Sequence, residues 1–417
     1  MVKGKSNLEI FKRRNKVKKW LILVSVVLLL LSVAGCQPAP PAKSISIGLV
    51  GDLTGPTSSF AGIAYGGRDY LVYCNEKYGG ISGNPIEYEL SDATNDQSKE
   101  VAAYKELITK LKPVSMHLWS TAMSKALRHD VNEKDKIPVI CESTSEEIVD
   151  PVNLPFNFIA GPTNEDEIMI ALDWIKELGG KTVVFLSGPT EFHVAPNKRV
   201  LKEFKYPAKI GLEVLDWIQY PPKPTDVTAE MLRARELNPD FYWVWDTPEG
   251  TIPVLRAASE LGIPSDKFII GRWSMHPLVI EQVGAEGCEE VKSFKQTMSV
   301  DELMEKGLPV GLEIKEFSST HDLYTRNWAY IKGWAESRVM AEAIKRAICK
   351  NDNVVPEDIY QFRQLVCDEW EAIKGWDIGI GVGLVDYSDH KGWTSMTPMI
   401  CRNGVWEVYG TAMEIKK

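Results

Sequence analysis

The chain has 417 residues, with 48 Lys and Arg against 57 Asp and Glu and a formal net charge of −9. Residues 1–35 hold eight of the basic residues and one acid, which leaves 40 basic and 56 acidic residues in the rest of the chain. This acidic balance disfavours nucleic acid and anionic membrane surfaces as partners. The length is sufficient for one large or two medium lobes with real hydrophobic cores.

The first segment of the chain predicts an export signal. A cationic stretch at 12–19 precedes an apolar run at 21–33, and small residues then lead to Cys36 in the sequence VAGC. This sequence resembles a bacterial lipobox, which implies that residues 1–35 are removed and that the Cys36 thiol is acylated. Two alternatives are a transmembrane helix, for which about thirteen apolar residues are short, and a secreted protein in which Cys36 is accidental.

Residues 36–43 are rich in Pro and Ala and predict a stiff tether after the lipidated cysteine. The remaining cysteines form no CxxC pair and have no Cys/His ligand spacing, so we expect no metal site. Disulfides and buried thiols both stay open for them, with Cys349 and Cys367 as the first pair to test. The six cysteines are Cys74, Cys141, Cys288, Cys349, Cys367 and Cys401.

Short β-branched runs then alternate with helical stretches in two successive series. This rhythm predicts parallel sheets covered on both faces, and two series predict two Rossmann-like lobes of an α/β protein. The first series places strands at 45–50, 86–90, 114–118 and 137–140, with helices at 66–77 and 98–111. The second places helices at 165–178 and 227–237, strands at 182–186, 214–220, 241–245 and 268–270, and a long helix at 324–350.

Five segments carry a more specific signal, in order and at matching spacing. Together they resemble the branched-chain amino-acid-binding, leucine-binding-like group of type I periplasmic binding proteins. The resemblance runs from about residue 44 to about residue 407. The segments are 47–56 (IGLVGDLTGP), 79–83 (GGISG), 91–96 (SDATND), 118–121 (LWST) and 285–287 (AEG).

The resemblance implies two lobes joined by three crossovers around a hinged cleft. The first lobe would comprise residues 44–162 and 294–352, and the second lobe residues 163–293 and 353–417. Ligands of open α/β sheets lie beyond the carboxyl ends of the strands, so the cleft is the expected site.

Short hydroxyl side chains follow two strands of the first lobe. Ser120 and Thr121 follow the third strand, and Ser143 and Thr144 follow the fourth. The family uses these two loops to hold the α-carboxylate of its ligand, which implies the same role here. Helix N-capping is the alternative explanation for such residues.

The resemblance also implies aromatic and polar groups around the cleft. Phe60 would form an aromatic wall, and Trp119, Trp245 and Trp273 all fall at strand ends, with Asp246 next to one of them. Two interpretations fit these positions: the tryptophans form an aromatic wall of the cleft, or they cover the ends of the sheets.

Arg272 departs from the family pattern, because amino-acid-binding members usually place an acid there to pair with the ligand's ammonium group. A cation at this position suits a carboxylate or another anion, which it can hold through two hydrogen bonds. Asp246 or Glu249 could then supply the missing negative charge.

We therefore expect an exported lipoprotein that binds a small carboxylate-bearing solute, an amino acid or a related acid including an aromatic one, by hinge closure. Its partners would be the solute, a membrane permease of an ABC importer and the lipid on Cys36, with a monomeric protein and no cofactor. A ligand-sensing module that reports to a receptor is the alternative. The sequence holds no nucleophile elbow, HExxH motif or phosphate loop, so we do not expect an enzyme.

Overall fold

The computed structural model describes residues 42–295 and 297–414. The predicted signal segment 1–35, Cys36 and most of the tether lie outside the described residues. Residues 43 onward belong to one compact unit. None of the described helices has both the length and the apolar character needed to span a lipid bilayer.

The first sheet has five parallel strands in the order β2-β1-β3-β4-β5. Leu49 at the sheet centre pairs with Leu90 on one side and with His117 on the other. The inner strands β1 and β4 are covered on both faces, which explains why they are almost continuously apolar, whereas the edge strand β2 alternates with acidic residues. The strands are β1 (Ile45–Gly51), β2 (Ile86–Asp92), β3 (Ser115–Leu118), β4 (Val139–Cys141) and β5 (Asn157–Phe158).

The second sheet has seven strands in the order β14-β13-β10-β9-β8-β6-β7. Strands β6 to β10 run parallel, β13 pairs antiparallel with β10, and β14 pairs antiparallel with β13 at the edge. A separate two-stranded ribbon contains β11 and β12. The strands are β6 (Thr182–Ser187), β7 (Glu213–Gln219), β8 (Phe241–Trp245), β9 (Phe268–Ile270), β10 (Lys292–Lys295), β11 (Lys374–Asp377), β12 (Leu384–Asp386), β13 (Thr397–Arg402) and β14 (Val405–Val408).

Thirteen α-helices connect and cover the strands within the described ranges. They are α1 (Ala61–Tyr78), α2 (Gln97–Leu111), α3 (Thr121–Ala126), α4 (Asn164–Glu177), α5 (Glu191–Lys198), α6 (Tyr206–Lys209), α7 (Thr228–Glu236), α8 (Pro248–Glu260), α9 (Pro277–Val283), α10 (Val300–Glu305), α11 (Pro309–Phe317), α12 (Trp328–Lys350) and α13 (Ile359–Glu371). The predicted α/β class with two mostly parallel sheets is confirmed.

The long helix α12 packs against α1 at very short range. A Cβ atom on Gly66 would lie 2.1 Å from the carbonyl oxygen of Tyr330, and a Cβ atom on Gly333 would lie 1.8 Å from that of Ile63. Only glycine permits this approach, so the two positions fix how α12 lies on the first lobe.

Helix α13 belongs with the first lobe, contrary to the predicted boundary at residue 353. The Arg363 guanidinium donates to the carbonyl oxygens of Pro113 (2.8 and 3.0 Å) and Asp135 (2.7 Å). The Trp370 ring stacks on Phe158 of β5 at 4.5 Å between centroids. Burial of these large side chains against the first sheet holds α13 there, and the chain rejoins the second sheet only at β13.

Candidate functional site

A cavity of about 300 Å³ lies between the carboxyl ends of the two sheets. Residues from the loops after β1, β3 and β4 line one side of it, and residues from the loops after β6, β7, β8 and β9 line the other. Seven of the ten predicted ligand-binding residues contribute to this lining. They are Phe60, Trp119, Ser120, Thr121, Ser143, Asp246 and Trp273.

Aromatic rings form most of the cavity wall. Phe60 of the first lobe meets the edge of Trp273 of the second lobe at 5.7 Å between centroids. Phe192, which follows β6 and which the sequence prediction missed, also lines the cavity and stacks on Trp245 at 5.1 Å.

Trp245 itself is fully buried, does not line the cavity, and donates from Nε1 to the Phe192 carbonyl oxygen at 3.0 Å. Trp245 was predicted to contact the ligand, but in the structure it packs behind Phe192 and supports the cavity wall. The cause is the alternation of strand β8, which directs this ring into the core.

The four predicted hydroxyl residues have different surroundings. Ser120 lines the cavity, but its Oγ accepts from Met123 N at 3.0 Å as the N-cap of α3 and donates to Glu100 at 2.6 Å. Thr121 and Ser143 also line the cavity, with their hydroxyl oxygens 2.5 Å apart. This last pair can present hydroxyl groups to a ligand.

Thr144 is buried away from the cavity. Its hydroxyl donates to Asn164 Oδ1 at 2.9 Å and accepts from the Arg272 guanidinium. Thr144 therefore does not line the cavity, and its hydroxyl is held by Asn164 at the start of α4 and by Arg272 after β9.

Arg272 also lies outside the cavity lining, with 2% of its side chain exposed. Its guanidinium forms an ion pair with the fully buried Glu167 of α4. It donates further to Asn164 Oδ1 at 3.0 Å and to the Pro162 carbonyl oxygen at 3.3 Å. The group expected to hold a ligand anion therefore acts in this structure as an internal tie, because partners within the chain accept from both of its terminal nitrogens.

Asp246 lines the cavity with its carboxylate already well supplied with donors. It accepts from the Tyr220 hydroxyl and from Thr247 N, both at 2.7 Å, and lies 3.0 Å from His193 Nε2. Burial raises the pKa of Asp246, but the neighbouring His193 and these hydrogen bonds outweigh burial and lower the pKa overall. These contacts stabilise the ionised form of Asp246 on the second lobe.

Glu142 is a lining residue that the sequence prediction missed. It follows β4 directly, and 4% of it is exposed. Within the described residues neither carboxylate oxygen accepts a hydrogen bond, although Lys332 Nζ lies 3.3 Å from Oε1 and forms an ion pair. Its place directly after a strand, beside Ser143, was the available sequence signal.

Behind Glu142 lies a buried group of charged side chains from β3 and α12. Glu336 accepts from Lys332 and contacts His117 Nε2 at 2.8 Å. Ligand atoms of His117, Glu142 and Glu336 lie within 4.8 Å of one another, which is close enough for a metal ion. The Lys332 ammonium already lies between the two carboxylates and supplies positive charge there.

The sequence model described as periplasmic binding protein matches residues 44–365. The chain belongs to the periplasmic binding protein family. Members of this family bind solutes and are not enzymes, so both the predicted family and the expectation of a non-enzyme are confirmed. No curated protein matches the sequence.

Solved structures of similar proteins share the two-lobed type I architecture. A branched-chain amino acid ABC transporter protein from Thermus thermophilus with bound valine has a TM-score of 0.79 at 18% identity, over 90% of this chain and 97% of that one. A fatty acid ABC transporter substrate-binding protein from Thermomonospora curvata has a TM-score of 0.74 at 17% identity, over 92% and 96%. A leucine binding protein from Thermotoga maritima has a TM-score of 0.70 at 17% identity, over 89% and 99%.

In this periplasmic binding protein, polar contacts join the two lobes around the cavity. The Ser59 hydroxyl donates to Glu249 Oε1 at 2.9 Å, and Lys125 Nζ lies 2.9 Å from Glu191 Oε2. In each pair the first residue belongs to the first lobe and the second to the second lobe. Together with the contact of Phe60 with Trp273, these pairs connect the two sides of the cavity.

Proposed function

We propose that this protein is the substrate-binding component of an ABC importer and captures a small carboxylate-bearing solute, an amino acid or a related acid, by hinge closure. The observation that carries the proposal is the cavity between the two lobes, walled by aromatic rings and lined by the hydroxyl pair of Thr121 and Ser143. Its volume is at the lower end of the range for small-molecule sites, which favours a compact ligand.

Three features of the cavity support a carboxylate on a partly apolar body. The hydroxyl groups of Thr121 and Ser143 can donate to a carboxylate oxygen without filling the space. Phe60, Phe192 and Trp273 offer apolar faces for the remainder of the ligand. This division of polar and apolar groups is typical of sites for small organic acids.

Hinge closure would couple capture of the ligand to recognition by a permease. A ligand that contacts both lobes stabilises the closed state relative to the open state by the difference in its affinity for the two. The contacts of Ser59 with Glu249 and of Lys125 with Glu191 would break on opening, so they add a small bias toward closure.

The predicted export signal and the family both support a location of this activity outside the cytoplasm. We infer that Cys36 is lipidated and that the tether holds a monomeric binding domain on the outer face of the membrane. An anchored collector stays at high effective concentration near its permease. Replacement of Cys36 by Ser should abolish metabolic labelling with palmitate and release the protein into the medium or periplasm, and continued labelling would contradict the anchor.

The ligand class is tested with a panel of aliphatic and aromatic amino acids, their deaminated acids and dicarboxylates. A ligand present at 100 times its Kd should stabilise the protein by about 2.7 kcal/mol through mass action, which thermal unfolding detects. Trp119 and Trp273 line the cavity, so their fluorescence gives a second measurement. If millimolar concentrations of the whole panel change neither Tm nor fluorescence, the proposal is wrong.

A further inference from the structure

Glu142 presents an unsatisfied carboxyl group to the cavity. Its side chain is almost completely buried, yet neither oxygen accepts a hydrogen bond from any described residue. A buried acceptor without a donor is costly, and the cost is larger for a charged group. Asp246 on the opposite side of the cavity shows the contrast, since it has Tyr220 and Thr247 as donors.

The cations nearest to Glu142 are shared with, or paired to, other acids. Lys332 is shared with Glu336, to which it donates a hydrogen bond, and lies 3.3 Å from Glu142 without hydrogen-bond geometry. His117 Nε2 contacts Glu336 at 2.8 Å and lies 3.7 Å from Glu142. Arg272 is paired with a different acid of the second lobe. Lys332 therefore gives Glu142 an ion pair but no hydrogen bond, so both carboxyl oxygens can still accept a donor that arrives with the ligand.

The rest of the cavity suits the same kind of donor. Trp119, Phe60 and Trp273 line the cavity with Glu142, and aromatic faces attract cations through their negative π-surface. The hydroxyl pair of Thr121 and Ser143 lies on the same side of the cavity, with Ser143 adjacent to Glu142 in the chain. A carboxylate and an ammonium carried by neighbouring atoms of one molecule would match these two groups.

We propose that Glu142 binds a protonated amine of the ligand, so that the protein selects amine-bearing acids over simple carboxylic acids. This inference rests on the proposed function and narrows it. The acid that recognises the amine would then come from the first lobe, directly after β4, and not from the second-lobe position that Arg272 occupies. Charge-assisted hydrogen bonds of this kind are the stronger class in proteins.

Matched pairs of probes test the inference on the wild-type protein by isothermal titration calorimetry. The pairs are leucine with 4-methylpentanoate and phenylalanine with 3-phenylpropionate, which differ only by the amine. We expect the amine-bearing member of at least one pair to bind about 10- to 100-fold more tightly. Equal or tighter binding of the deaminated acids would overturn the inference and leave the proposed function standing. Absence of binding throughout the panel would overturn both.

Glu142→Gln keeps the shape of the side chain and removes its charge. It should reduce affinity for the amine-bearing probe by about 10- to 100-fold and leave affinity for the deaminated acid unchanged or higher. Glu100→Gln is the matched control, because Glu100 is also a buried acid of the first lobe but does not line the cavity. A Glu142→Gln variant that retains full preference for the amine would refute the assignment.

The pH dependence of binding separates a ligand contact from a purely structural role. Burial and the nearby Glu336 raise the pKa of Glu142, while Lys332 opposes the shift. Arg272 and His117 also face this group. An arriving ammonium favours the ionised carboxyl, so binding releases a proton and affinity rises with pH until Glu142 is ionised in the unbound protein. Glu142→Gln should abolish this rise, whereas its persistence in the variant would contradict the role.

Discussion

Replacement of Arg272 by Met distinguishes an internal tie from a ligand clamp. The guanidinium and its partner Glu167 are both almost completely removed from solvent, and the same side chain donates to Asn164 and Pro162. The Arg272→Met change leaves the Glu167 carboxylate buried without its cation. Breaking one side of a buried ion pair typically costs about 3–5 kcal/mol.

This loss should appear in urea unfolding followed by circular dichroism, and in a decrease of roughly 5–10 °C in Tm. The double variant Arg272→Met with Glu167→Gln carries no unpaired charge, so it should recover most of the lost stability. Burial raises the pKa of Glu167, while Arg272 opposes this shift. Without Arg272 the carboxyl pKa rises further, so the single variant should lose stability as the pH increases from the pKa of Glu167 in the unfolded chain to its raised pKa in the folded chain, and level off above that.

Ligand titration completes the test of Arg272. Under native conditions, both variants should retain the preference between amine-bearing and deaminated probes, because Arg272 does not line the cavity. If Arg272→Met unfolds like the wild type but binds no acid from the panel, the guanidinium contacts the ligand and the assignment from the structure is wrong.

Three further predictions concern the wall, the mouth and the thiols. Trp273→Ala removes an aromatic face that contacts Phe60 and should raise Kd at least tenfold in a fluorescence titration, with unchanged Kd as the contrary result. Lys125→Ala breaks the contact with Glu191 and should increase the rate of ligand release by less than about fivefold. In the wild type, about 0.5 M salt should have the same effect. Loss of all binding in the variant would contradict this prediction. The six cysteines of the described chain are unpaired, and Cys349 alone among them is exposed, so dithiothreitol should not change Tm and one thiol should react rapidly with Ellman's reagent.

The disulfide question shows what sequence spacing leaves undecided. Cys349 and Cys367 were the first pair to test, but Cys367 is buried with its sulfur 3.1 Å from the Pro155 carbonyl oxygen, and Cys349 is exposed. Whether two cysteines meet depends on how α13 packs, and that is decided by Arg363 and Trp370 against residues more than 200 positions earlier. Periodicity predicts a helix but not the surface on which it lies.

The fold was predictable because the alternation of strands and helices is written into local sequence. The positions of the site loops were predictable for the same reason, since ligands bind at the carboxyl ends of parallel strands. The direction of each side chain was not. Trp245 turns into the core, and Arg272 turns toward Glu167, a residue of another helix that no spacing connects to it.

Hydrogen-bond partners explain the remaining differences at the site. Four hydroxyl residues look equivalent in sequence: Ser120, Thr121, Ser143 and Thr144. In the structure, Glu100 accepts from the Ser120 hydroxyl and Asn164 accepts from the Thr144 hydroxyl. Thr121 and Ser143 face the cavity with each other as hydroxyl partners, whereas Ser120 lines it with its hydroxyl bonded to Glu100. Local sequence shows where a hydroxyl can lie, whereas long-range packing decides whether it is available.

The charge that the cavity presents to a ligand depends on which of the nearby charged side chains already have partners. Arg272 is paired with Glu167, Asp246 has its own donors, and Glu249 accepts from Ser59 at one oxygen. Glu142 is the lining acid for which neither oxygen accepts a hydrogen bond from a described residue, so the ligand can change its state most. A simple carboxylate would have to approach a protonated Glu142, because two unpaired negative charges in a poorly hydrated cavity repel strongly. An amine-bearing acid, in contrast, binds to the ionised form of Glu142 through its ammonium group. Selectivity for the amine should therefore increase with pH, and a protein that needs only the carboxylate would show the opposite trend.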